Sequence, residues 1–75
     1  MAKIPKLTGK EIIKVLEKLN FNVVRIKGSH HILKHKDGRM TVVPAHTNEI
    51  IGPGLLSKIF NDCEIKKEDF IKLLN

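Results

Sequence analysis

Two glycine-containing turns divide residues 21–44 into three short segments that are rich in β-branched side chains. Gly28 separates FNVVRIK from HHILKH, and Asp37-Gly38 precedes RMTVVP. Glycine permits the backbone angles of a tight connection between strands, and Asp-Gly is the strongest short hairpin signal. Pro44 cannot donate a ladder hydrogen bond, so the third segment ends there. The pattern predicts an antiparallel meander of three strands.

Amphipathic helices are predicted on both sides of the meander. Thr8 and Glu11 have the spacing of a capping box at the start of the first helix, and Asn20 is a suitable left-handed end. Gly52-Pro53 fits the start of a second helix, and KKEDFIKLLN at the end of the chain predicts a short third one. The apolar stripes of the first two helices are formed by Ile12, Ile13, Leu16 and Leu19, and by Leu55, Leu56, Ile59 and Phe60.

These elements define the fold class. The order α-β-β-β-α-α predicts an α+β fold in which a three-stranded antiparallel sheet packs against helices on one face. A chain of 75 residues is expected to form a single domain, residues 1–75, since a second domain would have too little surface to bury.

The charge balance indicates the class of partner, and the cysteine usage indicates the redox compartment. Fourteen Lys and Arg residues against eight Asp and Glu give a formal net charge of +6, which favours a polyanion such as nucleic acid. No apolar stretch of about 18 residues occurs, so a membrane span is not expected. The single cysteine, Cys63, cannot form an internal disulfide and fits a reducing compartment. A cytoplasmic protein without membrane attachment is predicted.

All four histidines fall in RIKGSHHILKHKDGRMTVVPAH, residues 25–46. A zinc site is disfavoured, because His30 and His31 are adjacent on a strand and should point to opposite faces. His35, just before the second turn, is expected to be exposed and without a special role. No metal or other cofactor is predicted.

The residues that precede His30 and His31 favour anion binding. Gly28 lets the turn expose backbone N–H groups, Ser29 adds a hydroxyl and Lys27 adds a positive charge. From these residues alone, a structural role and a phosphate-binding role for the two histidines are equally supported.

Bound RNA would give such a site a reaction to catalyse. Cleavage by attack of the neighbouring 2′-OH requires proton transfer near neutral pH, and histidine, with an unperturbed pKa of about 6.5, suits that task. Cations and backbone amides can stabilise the developing charge without a metal ion. A 2′-OH nucleophile would restrict the substrate to RNA.

Three short motifs follow one another in KLTGKEIIKVLEKLNFNVVRIKGSHHILKHKDGRMTVVPAH: G-S-H after a short strand, H-x-D-G in a hairpin, and V-P-x-H at the end of the third strand. With the GLLSKIF helix that comes next, their order and spacing resemble the HicA (YcfA-like) toxins of HicAB toxin–antitoxin systems, from residue 7 to about residue 73. The resemblance implies a fold like that of the double-stranded-RNA-binding domain (dsRBD-like). It also implies a type II toxin that cleaves messenger RNA and is neutralised by a HicB antitoxin covering its active site.

The resemblance assigns roles to individual residues. The catalytic histidine of G-S-H falls on His30, and in some members it lies one position later, which makes His31 the alternative. The histidine of V-P-x-H falls on His46 and is expected to support the substrate. The RNA-binding residues are predicted to be Lys27, Gly28, Ser29, His31, Arg39 and His46. The main alternative to this metal-independent endoribonuclease is a non-catalytic RNA-binding module of the same fold, and a third possibility is a domain that only binds an acidic protein.

The chain departs from the family pattern at two places. Gly54-Leu55 stands where the family commonly has Gly-Thr, and Cys63-Glu64 stands where it commonly has Ala-Gly. The first departure removes a threonine hydroxyl expected to contact phosphate. The second removes a glycine expected to end the second helix.

Overall fold

The computed structural model describes residues 5–74, so residues 1–4 and Asn75 of the predicted domain lie outside the described part. The elements are α1 (Gly9–Lys18), β1 (Phe21–Lys27), β2 (His30–His35), β3 (Met40–Pro44), α2 (Pro53–Cys63) and α3 (Lys67–Lys72). The strands form one antiparallel sheet in the order β1-β2-β3. The predicted α+β, dsRBD-like order is confirmed. None of the helices in residues 5–74 is long and apolar enough to cross a membrane.

The sheet has two different faces. Phe21, Leu33 and Val43 are fully buried and join α1 and α2 in the hydrophobic core, so we call this the helix-facing side. On the opposite side, Met40 and Val42 alternate with buried residues along β3 and are exposed. We call this side the outer face.

β1 contains a bulge that changes which residues reach each face. Val23 pairs with Leu33 and Arg25 pairs with Ile32, so Val24 is an extra residue between two consecutive pairs. If Val24 were paired in the ladder, strand alternation would turn Arg25 toward the helices; because Val24 is the extra residue, Arg25 shares the outer face with Ile32. The sequence signal is the consecutive valines of FNVVRIK, which break the period-two alternation of apolar residues.

The helix starts follow the prediction. Thr8 Oγ1 accepts a hydrogen bond from the N–H of Glu11 (3.3 Å), and Glu11 Oε1 accepts one from the N–H of Thr8 (2.9 Å), so the capping box is complete. The bond from the Thr8 backbone, more than any other contact, lowers the pKa of the Glu11 carboxyl from its ordinary value of 4.5. After α1, Asn20 takes the left-handed conformation with a φ of 71°. Pro53 is the first residue of α2.

Gly9, the first residue of α1, determines how closely that helix approaches the sheet. It is buried, and a Cβ atom there would overlap the carbonyl oxygen of Pro44 at the end of β3. The next residue, Ala45, donates its N–H to the carbonyl oxygen of Ser29 (2.7 Å). The start of α1 therefore lies at the end of the sheet where the Gly28-Ser29 turn joins β1 to β2, which we call the turn end.

α2 runs back along β3 from the turn end. Just before α2, the N–H of Ile51 donates to the carbonyl oxygen of Leu7 (2.8 Å), beside the start of α1. At the last residue of α2, the Cys63 carbonyl accepts a hydrogen bond from Arg39 Nη1 (2.6 Å). This second contact lies where the β2–β3 hairpin turns, which we call the hairpin end. Glu64 ends α2 with a φ of 54°, a left-handed conformation, at the position where the family commonly has glycine.

Candidate functional site

The Gly28-Ser29 turn is open to solvent. Gly28 has a φ of 61°, and nothing lies within 4 Å of the position that its Cβ would occupy. Beside the turn, Lys27 pairs with His30, and His30 pairs with Pro44 on its other side. Residues paired in this way share a face of the sheet. The Lys27 ammonium and the His30 imidazole therefore belong to the outer face, and both residues are exposed.

His31 lies on the helix-facing side with a defined ring orientation. It pairs with Ile26 and Val43 and is half-buried. Its Nδ1 is 3.2 Å from the carbonyl oxygen of Ser29. Because a carbonyl only accepts hydrogen bonds, this contact favours a proton on Nδ1 of the neutral ring and leaves Nε2 as the basic nitrogen. The prediction that His30 and His31 occupy opposite faces is confirmed by this register.

The Ser29 carbonyl also holds the V-P-x-H segment. It accepts the N–H of Ala45 at 2.7 Å, so the chain that follows β3 is fixed against the turn. His46 is the next residue; it is exposed, and its Nδ1 lies 3.7 Å from Glu49 Oε2. The turn end thus brings together six of the residues singled out from the sequence: Lys27, Gly28, Ser29, His30, His31 and His46.

Arg39 is not part of this group. It stands one residue before β3 at the hairpin end, roughly 16 Å from Pro44 at about 3.3 Å per strand residue. Arg39 Nε donates to Asp37 Oδ2 (2.8 Å), Nη1 donates to the Cys63 carbonyl (2.6 Å), and the guanidinium carbon is 5.1 Å from the centre of the Phe21 ring. These contacts join the hairpin to the end of α2, so Arg39 holds the hairpin end together and lies apart from the histidine pair.

His35 is mostly buried, and the expectation that it is exposed was wrong. Only 12% of its side chain is exposed, and its ring makes a T-shaped contact with the Phe21 ring, with the two ring centroids 5.2 Å apart. The physical reason is alternation along β2, which gives His35 the same helix-facing side as Leu33. Its Nδ1 accepts the N–H of Asp37 (3.1 Å). The N–H of Arg39 in turn donates to Asp37 Oδ1 (3.0 Å), and this bond is the main cause that lowers the pKa of the Asp37 carboxyl from 3.8.

The strands of the sheet carry a net positive charge. The three strands, all within the described residues, contain no Asp or Glu, whereas they carry Arg25, Lys27 and Lys34. The positive end of α2 also points to the turn end. Gly52 provides no side-chain hydrogen bond to the first turn of α2, and that turn contains no carboxylate. Leu55, at the position where the family commonly has threonine, is exposed. This electrostatic environment suits a phosphate group.

The remaining reactive groups lie elsewhere. In residues 5–74, His, Cys, Asp and Glu side chains form no group of three or more that could hold a metal ion. Burial raises the pKa of the Cys63 thiol to about 11, and the nearby Asp62 carboxylate adds to the effect, so the thiol is a weak nucleophile. The groups that the turn end offers are imidazoles for proton transfer, and a lysine and backbone amides for charge stabilisation.

Comparison with known proteins gives a further finding about the same residues. A family model described as HicA toxin of bacterial toxin-antitoxin matches residues 9–65. The matched segment starts at the first residue of α1, contains the whole sheet and the turn end, and finishes just beyond α2. No curated protein matches the chain.

Proposed function

Because the chain belongs to the HicA toxin family, we propose that it is the toxin of a type II system that cleaves messenger RNA without a metal ion and is neutralised by a HicB-type antitoxin. The substrate would place its action in the cytoplasm. Membership of the family supports the role of toxin and implies that the partner is an antitoxin. The ribonuclease chemistry and its residues are the proposal, and the geometry of the turn end supports them.

The observation that carries the proposal is the contact between His31 Nδ1 and the Ser29 carbonyl oxygen, at 3.2 Å. A histidine whose Nδ1–H is held by the backbone presents Nε2 in the form that accepts a proton. The family motif points first to His30, which is exposed and for which no such contact fixes the ring. The geometry therefore supports His31 for proton transfer, and His30, which lies beside Lys27 on the outer face, is proposed to bind RNA.

The proposed reaction needs only these groups. His31 Nε2 takes the proton of the ribose 2′-OH, the 2′-oxygen bonds to phosphorus, and the bond from phosphorus to the 5′-oxygen breaks. The imidazolium then returns its proton to the leaving 5′-oxygen, which leaves a 2′,3′-cyclic phosphate and a free 5′-hydroxyl. The turn residues Gly28 and Ser29 stabilise the extra negative charge on the phosphate oxygens, and Lys27, on the outer face, binds the RNA next to the turn. His46 contacts the RNA beside them.

Parallel substitution of the two adjacent histidines tests the assignment. We expect His31→Ala to lower the cleavage rate by about 100-fold or more, since removal of a general acid–base group typically costs that much. His30→Ala should mainly weaken RNA binding. The measurement is cleavage of a labelled RNA by purified toxin in the presence of EDTA, with growth arrest after induced expression as a second readout. Circular dichroism of each variant is the control for folding. Full activity of folded His31→Ala together with loss in His30→Ala would return the role to His30, and full activity in both would end the catalytic proposal.

A non-catalytic RNA-binding module is the second candidate. The absence of acidic residues from the three strands favours RNA binding by such a module as much as by an enzyme. Such a module would bind single-stranded RNA with a salt slope of about −0.7 per phosphate contacted, as the enzyme would. Only the enzyme would release fragments with cyclic phosphate ends. Intact RNA after incubation with folded wild-type toxin would therefore support the module.

A further inference from the structure

The cross-strand row that contains His31 also contains an exposed isoleucine. His31 pairs with Ile26 on β1 and with Val43 on β3. Val43 is fully buried in the core, whereas Ile26 is 60% exposed, the highest value among the large apolar side chains of residues 5–74. A ligand that reaches the His31 ring on the helix-facing side can therefore contact Ile26 next to it, but it cannot contact Val43.

The path of α1 explains why Ile26 is exposed. The helix starts against the Pro44 carbonyl at the end of β3, and the chain after it enters Phe21 at the start of β1. These two points lie at opposite ends of the sheet and on opposite edge strands, so α1 crosses the helix-facing side diagonally. α2 packs along β3, at the edge far from β1. Both helices therefore leave the end of β1 exposed, and the surface beside His31 is open.

A single exposed isoleucine is ordinary on a protein surface, and what distinguishes Ile26 is its neighbour. Residues directly opposite each other on two strands have Cβ atoms about 4.5–5.5 Å apart. In the proposed reaction, His31 Nε2 must come within about 3.2 Å of the ribose 2′-oxygen to take its proton. The base of the same nucleotide is attached to C1′, the carbon next to the one that carries the 2′-OH. That base is therefore held within reach of the Ile26 side chain.

An aliphatic contact determines what kind of recognition is possible. The chain has no Trp or Tyr, and Phe21, Phe60 and Phe70 are all buried, so the turn end has no aromatic ring on which a base could stack. The side chain of Ile26 can cover the flat face of a base and remove apolar area from water. It neither donates nor accepts a hydrogen bond, so the contact responds to the presence and size of a base and not to its identity.

We propose that Ile26 is a base-binding residue: the base of the nucleotide that supplies the 2′-OH packs against its side chain while His31 takes the proton. The inference rests on the proposed function, and it adds a specificity residue that lies outside the G-S-H, H-x-D-G and V-P-x-H motifs. A base in this position is neither paired nor stacked between its neighbours, so cleavage is restricted to unpaired nucleotides.

A substrate with one cleavable bond tests the contact. It is 2′-O-methyl RNA with a single free 2′-OH, placed at an adenosine after which wild-type toxin cleaves unmodified RNA. A second version is abasic at that nucleotide, with hydrogen in place of the base. The kcat/KM for both substrates is measured in EDTA for wild type, Ile26→Ala and the matched control Val24→Ala. Val24 is 57% exposed on the same strand, but as the bulge residue it has no cross-strand partner.

We expect wild type and Val24→Ala to cleave the adenosine substrate about fivefold faster than the abasic one, near the lower limit for a base stacked on an aromatic ring. Ile26→Ala should cleave both substrates at the rate that wild type shows on the abasic one. A general disturbance of His31 would slow both substrates by the same factor and keep their ratio. Loss of the ratio therefore reports the contact between the base and Ile26 itself.

An Ile26→Ala protein that keeps the fivefold ratio would overturn the inference, as would a wild-type protein that cleaves both substrates equally fast. A kept ratio together with weaker binding of the antitoxin would assign Ile26 to a protein interface instead. Failure of the proposed function is visible separately and without any variant. If folded wild-type toxin leaves unmodified RNA intact, that proposal fails and the inference falls with it.

Discussion

The hairpin end and the turn end of the sheet each contain a histidine and a cation, but the contacts and the exposure of these side chains differ. At the hairpin end, Asp37 and Arg39 bond to each other, Arg39 also bonds to the Cys63 carbonyl, and His35 packs on Phe21. At the turn end, the exposed cation and imidazole flank an open glycine turn. Polar groups that satisfy one another stabilise a fold, whereas polar groups left facing solvent remain available to a ligand. Residue type alone therefore does not mark the candidate site.

The largest expected effect comes from the packing of the turn end. Gly9→Ala should lower the free energy of unfolding by about 1–3 kcal/mol, the range for overpacking, because the new Cβ overlaps the Pro44 carbonyl. Better helix propensity offsets at most about 1 kcal/mol of that cost. Urea denaturation measures the change, and RNA cleavage should also fall because the turn end loses its alignment.

Gly54→Ala is the matched control for this substitution. Nothing lies within 4 Å of a Cβ at Gly54, so the same chemical change there should leave stability unchanged or raise it by about 0.4–1 kcal/mol. Equal stability of the Gly9→Ala and Gly54→Ala proteins would contradict the close contact between α1 and the end of β3.

A smaller effect is expected from the hairpin end, and it should separate stability from activity. Arg39→Ala removes a short hydrogen bond to Cys63 and a contact with the Phe21 ring, and we expect it to cost about 2 kcal/mol of unfolding free energy. The cleavage rate per folded molecule should not change, because Arg39 lies far from the histidine pair. Lys36→Ala, an exposed cation of the same hairpin, should alter stability by less than about 0.5 kcal/mol. A cleavage defect in folded Arg39→Ala would show that the hairpin end takes part in the reaction.

The smallest effect is the acid dependence of stability. The folded state lowers the pKa of Glu11 from 4.5 and that of Asp37 from 3.8, so unfolding takes up protons at acid pH. Their stabilising contribution is therefore complete above about pH 5 and is lost as the pH falls below 4.5 toward the lowered values. The urea midpoint should be constant from pH 6 to pH 5 and then decrease.

The variants Glu11→Gln and Asp37→Asn assign this acid dependence. Each should flatten the decrease in the urea midpoint below pH 4.5, and Glu17→Gln, on the exposed surface of α1, serves as the control. An unchanged slope in Glu11→Gln would mean that the capping box does not persist in solution.

Local patterns were sufficient to predict most of the backbone. Thr8 and Glu11 predicted the start of α1, Pro53 that of α2, and Gly28 with Asp37-Gly38 the two turns, because caps and turns depend on a few adjacent residues. His46 was assigned to the site only through the family resemblance, and the contact between Ala45 and Ser29 holds its segment beside the turn.

What the sequence did not predict depends on contacts between distant segments. Arg39 meets Cys63 across 24 positions, and no local pattern distinguishes such a structural arginine from one that binds RNA. His35 was assigned to solvent because a turn follows it, yet the alternation of β2 turns it toward Phe21. The role of Gly9 depends on the position of Pro44, which only the packed structure fixes.

The extra residue Val24 has a consequence for how the protein can vary. Before it, β1 contributes side chains to the interior; after it, the strand turns Arg25 and Lys27 outward. Because Val24 is unpaired, loss of one valine would leave a regular strand in which Arg25 follows Val23 directly, and Arg25 and Lys27 would stay on the outer face. The length of β1 can therefore change by one residue at the bulge while the two faces of the strand keep their side chains.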